Sequence, residues 1–443
     1  MGISGSLSVS TKQERIALLA KQSPSMCFTS LNQYMDLEWL RAAFQRTRKD
    51  GASGVDGQTW QQYSVDLEQN LSDLLERAKS GSYYAPPVRR VYIPKGPGSG
   101  ETRPIGIPCL EDKVLQRGVV MLLEPLFEQD FLDCSYGFRP KRSQHQALAT
   151  LWNQVMAIGG GWILEIDIRQ FFDTMDKTVL RELIEQRVGD GVIKRLIGKW
   201  LNAGVFEGGN ISYPESGSPQ GGVISPLASN VYLHKVLDLW FERDVKPVLK
   251  GRASMVRFAD DAALVFSCEE DASRVLAVLP KRFAKFGLSL HPDKTRLIPF
   301  NRPKVAPKDL ARDDRPGTFD FLGFTHYWGK TRKGGWVVKR KTMRSRLTRA
   351  IKTIATWCRE NRHEPIKEQQ KILSMKLRGH YQYYGITGNA KGLRAFRLAT
   401  VRVWHKWLER RSQRGKMNWT KFTAILKRFP LPKVVVPHSV YIT

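Results

Sequence analysis

The twelve residues Met255-Val256-Arg257-Phe258-Ala259-Asp260-Asp261-Ala262-Ala263-Leu264-Val265-Phe266 constrain this chain more than any other stretch. Two short apolar runs flank adjacent carboxylates, which reads as two β-strands joined by a turn over Ala259 to Asp261. Both acids then project from one hairpin tip. Carboxylates held that close repel each other and retain a proton unless a divalent cation lets both ionise. A polar turn between core strands would also use Asp-Asp, and a third acid tips the balance toward a metal.

That acid is Asp167, in Trp162-Ile163-Leu164-Glu165-Ile166-Asp167-Ile168-Arg169-Gln170-Phe171-Phe172-Asp173. Ile163 to Ile168 looks like a buried strand, and an unpaired carboxylate inside one is costly unless a cation compensates it. If this strand lies beside the Asp260-Asp261 hairpin, three carboxylates converge on one face of a sheet. Hard oxygen ligands of this kind suit Mg²⁺. Two such ions ~4 Å apart can activate an attacking hydroxyl and stabilise a departing pyrophosphate, the arrangement polymerases use.

Other segments stand around these two in a fixed order. They are Arg103-Pro104-Ile105-Gly106-Ile107-Pro108, Ser135-Tyr136-Gly137-Phe138-Arg139-Pro140, Gly217-Ser218-Pro219-Gln220-Gly221-Gly222, Leu290 to Lys294 and Phe321-Leu322-Gly323-Phe324. With the Asp167 and Asp260-Asp261 segments they make seven motifs. In that order the chain resembles the group II intron reverse transcriptases, the polymerase and maturase proteins of mobile introns, from about Gly51 to its last residues.

The resemblance implies an α+β fold of the right-hand polymerase kind. Residues 1–60 would be an N-terminal extension and 61–330 the fingers and palm, with an antiparallel palm sheet. Residues 331–443 would form a basic α-helical thumb, also the maturase or X domain. Asp167, Asp260 and Asp261 would be catalytic and, with Ile168, would hold two Mg²⁺ ions, for which Mn²⁺ could substitute.

Further roles follow from the resemblance. Lys95 and Arg103 would face the triphosphate, where charge grows in the transition state. Phe172 would pack under the incoming sugar and exclude a 2′-hydroxyl, and Gln220 would contact the new nucleotide. Lys294 would stand at the family's lysine proposed to protonate the leaving pyrophosphate, with a surface lysine as the alternative reading. Arg139, Lys141 and Arg142 would hold the template backbone, which carries affinity without sequence information. Phe319 to Trp328 would support the primer 3′ end, and the glycine-rich loop Gly51 to Gly57 would lie near template RNA.

The chain departs from the family where Phe258 replaces the usual tyrosine and where no His-Asn-His nuclease pattern is present. No DNA-cleaving domain is expected.

Charge agrees with a polyanionic partner. Of a net +29 over 443 residues, the stretch from Lys330 to Thr443 holds 29 Lys and Arg against 4 Asp and Glu, with 42 against 38 before it. Nucleic acid is the expected ligand of that last quarter. There Met343, Leu347, Ala350, Ile351, Ile354 and Trp357 recur at helical spacing among Lys341, Arg344, Arg349 and Lys352. Leu393, Phe396, Trp404, Trp407 and Leu408 repeat the pattern among Arg394, Arg397, Arg402 and Lys406. Apolar stripes of this kind pack helices and leave a basic face. Between the two, Arg378-Gly379-His380-Tyr381-Gln382-Tyr383-Tyr384-Gly385 suits stacking on nucleotides or packing beneath a loop.

Five scattered cysteines without a Cys-x-x-Cys pair are expected to be reduced thiols. No apolar run reaches the ~20 residues of a membrane span, and Met1 to Ser6 fits a myristoylation pattern only by coincidence. Asp176 is expected to cap a helix rather than ligate a metal, and Ser225-Pro226 to open another as N-cap and first residue.

The expected function is RNA-directed DNA synthesis. A DNA primer 3′-hydroxyl would attack the α-phosphate of a dNTP on an RNA template. By resemblance the protein would also bind group II intron RNA and assist its splicing and retromobility, in a bacterial cytoplasm at the nucleoid or in ribonucleoprotein. Two other readings stay open: a free-standing relative acting in DNA repair or phage defence, and a maturase acting mainly as an RNA-binding splicing factor.

Overall fold

The computed structural model describes residues 8–94, 100, 102–214, 217, 221–305, 316–412 and 417–439, and its strands fall into three sheets. In chain order they are β1 (Val88–Pro94), β2 (Thr102–Ile107), β3 (Trp162–Ile166), β4 (Val205–Glu207), β5 (Asn210–Ser212) and β6 (Ala253–Phe258). Then come β7 (Asp261–Phe266), β8 (Arg296–Pro299), β9 (Phe319–Phe321), β10 (Phe324–Lys330) and β11 (Trp336–Thr342). The sheet orders are β2-β1-β4-β5, β6-β7-β3-β8 and β11-β10-β9. All pairings are antiparallel except β1 with β4. With helices before, between and after these sheets, the chain is α+β.

The middle sheet positions the site, and its burial pattern explains why it forms. Side chains alternate across a strand. Leu164, Ile166, Ala262, Leu264 and Phe266 therefore enter a core shared with helices Leu110–Phe127 and Ser225–Leu233. Ile163, Ala263 and Val265 point to the other face, where helix Gln144–Ile158 and β9 to β11 cover them with Leu148, Leu151, Phe319 and Phe324. A sheet covered on both faces needs near-continuous apolar strands, as Leu264 to Phe266 supply.

The four C-terminal helices, Arg344–Glu360, Ile366–Tyr384, Ala390–Glu409 and Trp419–Arg428, close over a separate cluster that includes Leu377, Leu393, Trp404 and Phe422. Two expectations are corrected here. Arg378 to Tyr384 is not a connector: it forms the last turns of helix Ile366–Tyr384. Its aromatics face inward, with His380 stacked on Phe396 at 3.8 Å and Tyr381 fully buried, so the open choice resolves to packing. Ser225 is the first helical residue rather than the cap. The side-chain oxygen of Gln116 accepts from the N–H groups of Val223 (2.8 Å) and Ile224 (3.3 Å). A side chain of helix Leu110–Phe127 thus ties down the two residues that lead into this helix.

Asp176 caps helix Lys177–Glu185 as expected, accepting from Thr178 and Val179 N–H. All five cysteines are free. Among the described residues no helix is long and apolar enough to cross a membrane.

Candidate active site

Asp261 is the first residue of β7 and pairs with Phe258, the last of β6, so the turn shrinks to Ala259 and Asp260. Ala259 has φ 56°, a left-handed conformation that costs a residue with a Cβ roughly 1–2 kcal/mol. Two neighbours hold it there. Arg257 Nη1 donates to the Ala259 carbonyl at 2.9 Å. Gly137 packs flat on the other side, where an added Cβ would lie 2.3 Å from the Ala259 nitrogen.

β3 ends with Ile166 opposite Ala262. Carried one residue on, that register sets Asp167 against Asp261, on the face that holds Ile163, Ala263 and Val265. Directly opposed residues have Cβ atoms roughly 5 Å apart in a regular ladder. Beyond β3, Asp167 O accepts from His291 N–H and Arg169 N–H donates to Ser289 O, both at 2.8 Å. In this bridge of Ile168 with Leu290 the Ile168 carbonyl faces the other way, toward the hairpin. The same wrap brings Lys294 Nζ to 3.2 Å from Asp167 Oδ2 and 3.4 Å from Oδ1.

The carboxylates feel one another. Burial raises the pKa of Asp260, the charge of Asp167 raises it further, and Arg103 and Arg257 oppose the rise. Asp261 opens to solvent on one side, yet the surrounding protein, then Asp260, then Asp167, push its pKa up to about 7, against Lys294 and Arg346. Crowded acids with raised proton affinity make a site short of positive charge. A hard divalent cation would suit oxygen donors of this kind. Among the described residues no three His, Cys, Asp or Glu side chains could hold a metal ion by themselves. Mg²⁺ completes its shell from water and substrate phosphates rather than from an all-protein cage.

Two glycines tie the neighbouring segments together. A Cβ on Gly217 (φ 88°) would meet Phe172 O at 2.8 Å and Asp173 O at 2.9 Å. A Cβ on Gly221 (φ 118°) would meet Gly106 O at 2.5 Å. The connection between them thus starts on the backbone of Phe172 and ends on β2, which carries exposed Arg103. Phe172 is half-buried, edge-on to buried Phe171 at 5.3 Å. Lys95 and Gln220 lie outside the described residues.

The expected nucleic-acid cations separate into two sets. Lys141, Lys341, Arg344, Lys352, Arg394, Arg402 and Lys406 are exposed, and Arg349 and Arg397 half-buried, with Arg397 Nε donating to Pro432 O at 3.0 Å. Arg139 is a correction. It is buried, doubly bonded to Glu128 (Nη2 to Oε1 2.6 Å, Nε to Oε1 3.0 Å), and its Nη1 donates to Leu132 O and Ser135 O. A buried arginine must spend its donors on the protein, so Arg139 braces the loop instead of meeting a template. Arg142 pairs with Asp133 at 2.5 Å and lies over the Tyr136 ring.

Three residues at the site gave little signal in the sequence. Arg346, on the first C-terminal helix, is exposed and close enough for its charge to act on Asp261 and Tyr383. Tyr383 anchors that helical region by donating from its hydroxyl to Leu322 O at 3.0 Å, in the β9–β10 turn. Phe138, 56% exposed at φ 57°, stands beside Gly137. The i, i+4 spacing of Arg346 and Ala350 on the packing stripe would have marked it only as a residue near the helix face, and an aromatic after glycine marked Phe138 only as a turn.

Comparison with known proteins bears on the same region. The chain is 36% identical over 257 residues to Protein YkfC of Escherichia coli (strain K12), covering 56% of this chain and 66% of that one. It is 38% identical over 226 residues to the group II intron-encoded protein LtrA of Lactococcus lactis subsp. cremoris, covering 50% of this chain and 37% of that one. A third relative is the nuclear intron maturase 1, mitochondrial, of Arabidopsis thaliana, 29% identical over 124 residues, 27% of this chain and 17% of that one. The chain therefore spans less than two thirds of the length of the curated relatives it matches. The model of the family described as reverse transcriptase (RNA-dependent DNA polymerase) matches residues 93–326, more than half the chain and every carboxylate of the site. With that match laid over the Asp167, Asp260 and Asp261 geometry, the chain belongs to the reverse transcriptase family.

Proposed function

We propose that the chain copies RNA into DNA, extending a DNA primer with dNTPs on an RNA template. One observation carries this: Asp167, Asp260 and Asp261 stand at one end of β3 and β7, where the charge of Asp167 raises the proton affinity of both Asp260 and Asp261. Reverse transcriptases generally use divalent metal ions, and Asp167, Asp260, Asp261 and the Ile168 carbonyl would hold two Mg²⁺, or Mn²⁺ in their place. When bound, such ions neutralise substrate phosphates and favour the ionised primer hydroxyl.

The chain's own residues do the rest. Arg103, whose charge reaches Asp260, would meet the triphosphate on the β2 side, with Lys95 and Gln220 as its partners there. Phe172 would close the floor under the sugar. Lys294, 59% exposed at its side chain, can swing from Asp167 to the leaving pyrophosphate and give it a proton. In this reading the β6-β7-β3-β8 sheet is the palm, the β2-β1-β4-β5 sheet belongs to the fingers, and the C-terminal helices are the thumb. The division 1–60, 61–330 and 331–443 goes with it.

On the thumb, Arg394, Arg402 and Lys406 fall at multiples of four along helix Ala390–Glu409 and share one exposed face. That stripe, with Lys341, Arg344, Arg349, Lys352 and Arg397, suits the backbone of a template–primer duplex or of structured intron RNA. Lys141 and Arg142 would add to it from the fingers side. The relatives named for group II introns and intron maturases favour intron RNA as a second ligand, and with it a part in splicing and retromobility. Extension of a DNA primer on an RNA template, with Asp260→Ala as control, tests the polymerase reading. Splicing of a flanking intron transcript tests the second.

A further inference from the structure

Arg257 and Asp238 are both fully buried and form a two-point pair, Nε to Oδ1 at 2.7 Å and Nη2 to Oδ2 at 2.6 Å. The remaining donors of the guanidinium are also spent. Nη2 donates to Ser135 Oγ at 2.7 Å, and Nη1 donates to Asn230 Oδ1 at 3.1 Å and to Ala259 O at 2.9 Å. A guanidinium has five N–H groups in a fixed plane, and here five acceptors meet them. Asp238 and Asn230 come from the long helix after Ser225, Ser135 from the segment beside β6, and Ala259 from the turn itself.

The partners of Arg257 are also joined to one another around the turn. Asn230 Nδ2 donates to Gly137 O at 2.7 Å, and Gly137 is the residue packed on the Ala259 nitrogen. The backbone of Arg257 itself donates to Cys134 O at 2.7 Å, and its carbonyl accepts from Tyr136 N–H at 2.9 Å. Ala259 is thus gripped at its carbonyl by Arg257 and confined at its nitrogen by Gly137. A buried ion pair is poor evidence of stabilisation, since apolar residues of similar volume often serve the core as well. Such a replacement would also leave the left-handed alanine next to Asp260 without the N–H that grips its carbonyl.

We propose that Arg257 is a positioning residue for the carboxylates: the Arg257–Asp238 pair, through Ala259 O, fixes the left-handed turn that aims Asp260 and Asp261 at the site. This rests on the polymerase reading for its kinetic consequence, but the order of the turn does not depend on that reading. Lysine keeps the charge of Arg257 but has a single nitrogen, which cannot serve Asp238 and Ala259 O together in the same plane. Glycine at 259 enters the left-handed region without the Cβ penalty, so it lessens the need for the grip.

The test compares the 443-residue chain with Arg257→Lys, Arg257→Lys/Ala259→Gly and Asn230→Ser, each checked for cooperative thermal unfolding. Two quantities are read: hydrogen exchange of a peptide spanning residues 258–262, and kcat and KM for dTTP on a poly(rA) template with an oligo(dT) primer. Arg257→Lys is expected to raise exchange in that peptide at least tenfold while leaving other core peptides protected. It is also expected to lower kcat at least tenfold with KM within about twofold. Glycine at 259 should recover at least threefold of the lost kcat. Asn230→Ser, which keeps the ion pair but removes one Nη1 acceptor and the Gly137 tie, should show the same split more weakly, and it serves where Arg257→Lys does not fold. A folded Arg257→Lys protein with parental exchange and kcat overturns the proposal. So does a loss spread over all peptides that glycine at 259 leaves unchanged. If the parent copies no RNA, the polymerase reading fails, while the exchange data still decide whether the clamp orders the turn.

Discussion

Lys294 Nζ stands 3.2 Å from Asp167 Oδ2, held there because Asp167 O accepts from His291 N–H three residues earlier in the same segment. A lysine so placed can neutralise the carboxylate or deliver a proton, and arginine separates the two roles. It keeps the charge but does not give up a proton at physiological pH. Lys294→Gln and Lys294→Arg are both expected to slow single-nucleotide incorporation about 100-fold. Rapid-quench kinetics check this, and recovery by arginine would assign Lys294 to charge alone.

Phe172 rests on a backbone that Gly217 approaches too closely for any Cβ. That approach confines the Phe172 backbone, and in the proposed role sugar selection should depend on the bulk of its ring. Phe172→Ala is expected to reduce the preference for dNTP over rNTP by roughly 100-fold, in line with pocket discrimination worth ~1–3 kcal/mol. The ratio of kcat/KM for dTTP and UTP measures it.

The basic face and the buried arginine should behave oppositely. Each phosphate contact removed lowers the slope of log affinity against log salt by about 1. Lys352→Gln/Arg402→Gln is thus expected to flatten the slope by about 2 with little change in Tm. Arg139→Met should leave the slope alone and destabilise the fold by on the order of 3 kcal/mol, since it strands Glu128. Filter binding over a salt series, with thermal melts, tests both.

Asp112 provides a pH signature. It is buried, accepts from the Tyr83 hydroxyl and from Trp200 Nε1 (3.2 Å), and burial pushes its pKa from 3.8 up to about 7. Between those values the native state holds a proton that the unfolded chain has released, so stability falls as pH rises from about 4 to 7. At ~1.4 kcal/mol per tenfold change in proton affinity, the penalty at pH 7 is on the order of 4 kcal/mol. Asp112→Asn should therefore exceed the parent in stability at pH 7, with the difference vanishing near pH 4. Urea unfolding at both pH values would expose the opposite trend.

Much of this was legible in the sequence for identifiable reasons. Asp260 and Asp261 interrupt an apolar strand pair, where a carboxylate is costly, and that contrast survives folding unchanged. The basic stripe of helix Ala390–Glu409 is legible because surface cations follow helical spacing. Arg257 and Arg139 were hidden for the converse reason. Arginine is among the residues least often buried, so nothing in the order of residues assigns one to a clamp and the other to a loop brace. Ala259 hides its left-handed turn because alanine gives no sign of it; glycine or asparagine would have. Arg378 to Tyr384 leaves both readings open because aromatics beside bases suit a nucleotide platform and a packed helix end alike, and only the inward packing of His380 and Tyr381 separates them.

The most direct measurement is extension of a DNA primer on an RNA template with dNTPs and Mg²⁺, by the parent and by Asp167→Ala, Asp260→Ala and Asp261→Ala. The expected result is RNA-templated DNA synthesis by the parent and a loss of several orders of magnitude in all three variants, each still folded and able to bind the primer–template. Synthesis that persists in any folded variant, or a parent that makes no DNA from RNA under Mg²⁺ or Mn²⁺, would contradict the assignment of these three carboxylates as its catalytic centre.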